Sequence, residues 1–144
     1  MIKALRKFFL ISAEERKLFF QAVRFALWAR KYTRTLSSNK LHKFLGVPHK
    51  ESVTEVSIAD PVILKVYRAM RRSTIYLPFK RKCLIEAIVA KKMLMQYNIP
   101  ATLYLGIAKD GNKNLIAHAW LRCGNNIIVG KKGMEKYVAI EWFT

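Results

Sequence analysis

The chain has 144 residues, 52% of them apolar, and carries 27 Lys and Arg against 9 Asp and Glu, a formal net charge of +18. That is the size of one domain, and 8 Phe, 6 Tyr and 3 Trp argue for a packed interior, not the disorder that such a charge brings to an apolar-poor chain. Two cysteines, Cys83 and Cys123, exclude a disulfide scaffold, and every apolar run is broken by charge well short of the ~20 residues that span a bilayer.

Met1 to Ala13 has basic residues and a short greasy patch, Phe8 to Ile11, and runs directly into Glu14-Glu15-Arg16-Lys17. Without a sustained apolar stretch it does not read as a secretory signal, and a cytoplasmic location is expected. From Ser12 to about Thr35, Leu18, Phe19, Ala22, Val23, Phe25, Ala26 and Ala29 recur at helical spacing. Ser12 is the predicted N-cap, with Glu15 completing a capping box. Ser37, Ser38 and Asn39 punctuate the chain, and the stretch through Val47-Pro48 to Glu55 is expected to be a loop. Ile58 to Met70 carries Ile63, Val66, Tyr67 and Met70 at helical intervals, and Asp60-Pro61 suits an N-cap and first helical position. Pro78 precedes a third helix, Lys82 to about Tyr97, with Leu84, Ala87, Ile88, Lys91, Leu94 and Met95, ended by Asn98-Ile99-Pro100.

The period then changes. Thr102 to Ala108 alternates, Asp110-Gly111 supplies a turn, and Leu115 to Cys123 alternates again. Gly124-Asn125-Asn126 makes another turn, followed by Ile127 to Val129 and a last strand from Tyr137 to Phe143. Helices leading into an antiparallel sheet predict a single α+β domain over residues 1–144. Residues 1–75 form its helical front, and residues 76–144 form one helix plus the sheet.

The charge is uneven. Residues 61–85 hold Lys65, Arg68, Arg71, Arg72, Lys80, Arg81 and Lys82 with no acid among them. Such excess favours an anionic partner, whether nucleic acid, an acidic peptide, a protein or a membrane surface; a merely solvated basic face is the alternative. No helix-turn-helix spacing, zinc-finger pairing or glycine-rich phosphate loop accompanies it, so charge alone does not make a nucleic-acid protein, and no cofactor is indicated.

Two residues stand out as chemistry. Cys83 falls at the predicted start of the third helix, directly after Lys80-Arg81-Lys82; a helix N-terminus and neighbouring cations both stabilise a thiolate. A small buried hydrophobe is the other reading of a free cysteine. His118 stands in Ala117-His118-Ala119-Trp120, mid-strand, where small neighbours leave room around a ring. Together they are the parts of a thiol nucleophile with its general base. Zinc is a poor fit, because the odd separation of His118 and Cys123 puts them on opposite strand faces. His42 and His49 lie in the loop region without ligand-like company.

The order of these segments carries a resemblance. Cys83-Leu84 opening a helix, Tyr97-Asn98-Ile99-Pro100-Ala101 leading into Leu103-Tyr104-Leu105-Gly106-Ile107, and then Ala117-His118-Ala119-Trp120-Leu121 resemble the transglutaminase-like leader peptidase of lasso peptide biosynthesis. Gly124, Ile128-Val129-Gly130-Lys131, Gly133, Tyr137 and Phe143 also fit, so the resemblance covers Arg81 to Thr144, with the helical front matching more loosely. It implies a papain-like Cys-His hydrolase with Cys83 as nucleophile and His118 as base and later acid. It also implies removal of the leader from a ribosomally made precursor before a separate ATP-dependent cyclase closes the macrolactam. The chain's length implies the split form, served by a separate leader-recognition protein.

One position departs from the family pattern, which places an Asp on the strand after the histidine strand. A tight turn at Gly124-Asn125 brings Gly130 or Lys131 opposite His118, and neither carries a carboxylate. A backbone carbonyl could hold the imidazole instead; Asn125, Asn126, Glu135 and Glu141 are the nearby side chains, and the third role is left unassigned. The same fold without catalysis, a basic module docking a leader, a partner protein or nucleic acid, is the alternative function.

Overall fold

The structure, a computed structural model, describes residues 11–53, 55, 60–77, 79 and 82–144. The readings placed on Met1–Leu10, Ile58, Pro78 and Lys80-Arg81 lie outside these residues.

Helix α1 spans Ala13–Thr35. Its capping box forms as expected. The Ser12 hydroxyl accepts from the Glu15 N–H at 3.1 Å and the Glu15 carboxylate accepts from the Ser12 N–H at 3.3 Å, satisfying two donors that the first turn leaves without partners. Leu18, Ala22, Ala26 and Ala29 form its buried stripe.

The expected loop after Ser37 is in part a helix, α2, Ser38–Leu45. Its apolar residues, Leu41, Phe44 and Leu45, fall at i, i+3 and i+4 and meet the core on one face. Phe44 stacks on Tyr32 at 5.4 Å and packs on Trp28 at 4.4 Å. The Ser-Ser-Asn punctuation marks its start, and Gly46, at φ 131°, its end. Helix α3 runs Pro61–Tyr76, with the Asp60 carboxylate accepting from the Val62 N–H at 2.8 Å. It continues past Met70, and the buried Ser73 hydroxyl donates back to the Met70 carbonyl at 2.8 Å, so a polar residue sits on the core face without a lost hydrogen bond.

Helix α4, Cys83–Met95, is apolar nearly all round and therefore central. Ala87, Ile88, Val89, Ala90, Met93 and Leu94 are all buried between the other helices and the sheet. The strands β1 (Thr102–Lys109), β2 (Leu115–Cys123), β3 (Asn126–Val129) and β4 (Val138–Phe143) form an antiparallel sheet in the order β3-β2-β1-β4. Leu103, Ala119, Leu121 and Cys123 join the helical core; by the period of two, Tyr104, Gly106, His118 and Trp120 occupy the other face. The end of β4 is tied to the segment after α2, where Val47 and Thr144 exchange N–H···O bonds of 2.8 and 3.0 Å. This is the expected α+β architecture. No helix of the described residues is long and apolar enough to cross a membrane.

Candidate active site

The site is a cavity lined by the start of the central helix, by β2 and by the end of β3 with the turn after it. Cys83 is the first residue of α4 and half-buried, and the side chain of Lys82, the N-cap residue, makes no capping hydrogen bond. His118 stands on β2, and it shares with Cys83 a cavity of about 400 Å³. The two residues singled out for thiol chemistry therefore line one cavity.

The imidazole has three close neighbours. Its Nε2 lies 2.8 Å from the carbonyl oxygen of Gly130. A carbonyl only accepts, so Nε2 carries the proton, and in the neutral ring Nδ1 is left with the lone pair. The ring also neighbours Trp120, with centroids 6.1 Å apart, and Tyr137, with centroids 5.0 Å apart. Trp120 is in turn stacked on Tyr104 at 5.6 Å with the rings 5° from parallel.

The room for this arrangement has a different source from the one expected. Ala117 and Ala119 point to the opposite face of the strand. The space is made by Gly106, the register partner of His118 on β1. A Cβ at Gly106 would come within 2.6 Å of the Trp120 ring.

The strand after His118 carries no carboxylate, in line with the sequence, and the geometry gives the reason. Pairing of β2 with β3 shifts by one residue between Leu121 and Arg122, and the ladder stops at Leu121↔Val129. Gly130 then turns away at φ 75°, a conformation that favours glycine. A Cβ there would collide with the Ala119 carbonyl and lie 2.9 Å from the Trp120 Cα. Position 130 thus offers the imidazole its backbone carbonyl and no side chain. Nothing in the side-chain pattern signals such a role beyond the glycine itself.

The remaining candidates are placed elsewhere. Cys123 is buried in the core, with Sγ 3.6 Å from the Pro100 carbonyl; burial, aided by the Asp60 charge, pushes its thiol above the ordinary range. His42 pairs with Glu141 at 3.1 Å, and His49 packs edge-on against Trp142. Asn125 is exposed in the turn, Asn126 pairs with Cys123 at the start of β3, and Glu135 is exposed in a short 3₁₀ turn. The described residues contain no group of three or more His, Cys, Asp or Glu able to hold a metal ion.

A family model described as the transglutaminase-like superfamily matches residues 21–141. The chain belongs to the transglutaminase-like superfamily. No curated protein and no solved structure matches it. Transglutaminase-like chains are typically cysteine-peptidase-like, and this one brings a thiol and an imidazole with a free basic nitrogen into one cavity, the components of nucleophilic acyl transfer.

Proposed function

We propose that this transglutaminase-like chain is a cysteine peptidase that removes the leader from a ribosomally made lasso peptide precursor before macrolactam closure. The observation that carries the chemistry is the shared cavity of Cys83 and His118, with His118 Nε2 committed to the Gly130 carbonyl. The leader-peptide assignment rests on the resemblance of the segments from Arg81 to Thr144. In this reading Nδ1 of His118 takes the Cys83 proton, and the thiolate attacks the carbonyl carbon of the scissile bond. First-turn N–H groups of α4, which the Lys82 side chain leaves uncapped, face the developing oxyanion. The imidazolium returns its proton to the departing amine, leaving a thioester. Water, deprotonated by Nδ1, then cleaves the thioester to a carboxylate and restores the thiol. A separate leader-recognition protein delivers the precursor, and an ATP-dependent cyclase consumes the freed amine.

The test is leader removal from a lasso precursor, followed by mass spectrometry in the presence of the recognition protein. Cys83→Ala and His118→Ala are expected to abolish it with circular dichroism unchanged, while Cys123→Ala retains it. Loss of activity on Cys123→Ala with retention on Cys83→Ala would overturn the assignment. A folded chain that binds precursor, leaves it uncut and alkylates at Cys83 no faster than a free thiol would establish the binding module instead.

A further inference from the structure

The cavity that holds Cys83 and His118 is strongly cationic. Arg71 reaches it from α3, and Lys131 and Lys132 reach it from the turn after β3, against Glu86 as the one acid in its lining. These cations are not consumed by internal pairing. Among the described residues no ion pair engages Arg71, Lys131 or Lys132, although their neighbours on α3 are taken, Lys65 by Glu14 and Arg72 by Glu15.

The scarcity of acids makes this a property of the whole chain. All nine acidic residues fall within the described part. Glu51 and Glu141 are bound to Arg122 and His42, and Asp60 and Asp110 are spent on backbone N–H groups. A second, shallower hollow of about 430 Å³, lined by Arg71, Arg72, Thr74 and Ile75, abuts the first at Arg71. The cationic surface therefore continues along α3 beyond the reach of a single amino acid, and the exposed Tyr67 and Ile75 add apolar contact along the same helix.

We propose that Arg71, Lys131 and Lys132 make this cavity select an acidic peptide segment, with a side-chain carboxylate seated beside the bond that Cys83 attacks. This rests on the reading of Cys83 as the attacking thiol. The three cations act as specificity-determining residues. Each is exposed and keeps most of its hydration until a carboxylate enters, so the selection is electrostatic and screened by salt.

Paired alkylating reagents test this on the intact chain without any leader being cleaved. Iodoacetate and iodoacetamide both place a carbon on Sγ and release iodide, and they differ in one negative charge. The ratio of their rates at Cys83, read by mass spectrometry and normalised to N-acetylcysteine at the same pH, is expected to be about tenfold above unity at low ionic strength, as for a few cations acting through water at contact distances. It should collapse in 1 M salt and in the Arg71→Gln, Lys131→Gln, Lys132→Gln triple variant. The chloromethyl ketone of acetyl-Glu-Ala-Gly should likewise modify Cys83 about tenfold faster than its Gln counterpart, a preference lost in the same variant. A normalised ratio of one, a raised ratio that survives the triple substitution, or a Cys83 that neither small reagent reaches would each overturn the inference. So would a preference for iodoacetate with none for the Glu peptide. None of these outcomes depends on leader removal, so this inference and the peptidase reading can fail separately.

Discussion

Gly130 holds the imidazole with its backbone, and this sets what can be substituted there. A residue with a side chain at φ 75° adopts a left-handed conformation that costs about 1–2 kcal/mol, and its Cβ would also strike the Ala119 carbonyl. Gly130→Ala is therefore expected to lower the urea-unfolding free energy by more than about 1 kcal/mol, and Gly130→Asp to do the same instead of restoring a triad carboxylate. Lys131→Asp, on an exposed side chain, should stay within about 0.5 kcal/mol of the parent. Equal stability of Gly130→Asp and the parent would show that the turn can relax. The same contrast explains how much of the site is legible in the sequence. Cys83 and His118 announce themselves by side-chain chemistry, whereas a carbonyl carries no mark in the sequence. The bare backbone of Gly106 opposite His118 is hidden for a related reason, since it becomes visible only once β1 and β2 are in register.

At the scale of elements, legibility follows the strength of end signals. Helices α1 and α3 open on side chains that hydrogen-bond first-turn N–H groups, Ser12 and Asp60, and both starts are readable from spacing alone. Helix α2 has eight residues and no side-chain cap, so its helical character comes from Leu41, Phe44 and Leu45 meeting the core, a tertiary cause that a local reading takes for a loop. The register of β2 on β3 is readable to within the one-residue shift at Leu121/Arg122, because a bulge leaves no alternation of its own. Ser12→Ala removes the acceptor for the Glu15 N–H and should cost about 1 kcal/mol. Lys65→Ala breaks the exposed pair with Glu14 and should cost less stability than the lost cap, because solvent screens the pair. Chemical denaturation of the two variants side by side checks the ranking, which fails if losing the salt bridge destabilises the fold more than losing the cap.

Across the whole molecule, one buried cation joins three parts of the fold. Lys91 lies on the central helix α4 and is 5% exposed, and its Nζ donates to the carbonyls of Leu45 at 2.6 Å and Phe143 at 3.0 Å. It thus fastens the end of α2 and the end of β4 to the core helix, and Gly46 leaves space for it, since a Cβ there would be 2.7 Å from Nζ. Its place on the apolar face of that helix is readable from spacing, but not the two distant carbonyls it serves. Burial, with a smaller contribution from the neighbouring Lys92 charge, lowers the Lys91 pKa from 10.5 to about 8. Between those values the unfolded chain holds the proton and the folded chain does not, so this group makes stability rise with pH through that window, by at most about 1.4 kcal/mol per unit. Deprotonation sacrifices neither contact, because a neutral amine keeps two N–H donors for its two carbonyls. Other groups titrate in the same range, and burial holds Tyr104 above its ordinary value, so the measurement must be a difference. The stability of the parent minus that of Lys91→Met is expected to be flat below about pH 8, to climb between about 8 and 10.5, and to level off above. A difference that stays flat throughout, or falls as pH rises, would mean that Lys91 keeps its proton in the folded chain and fastens these elements as an ammonium ion.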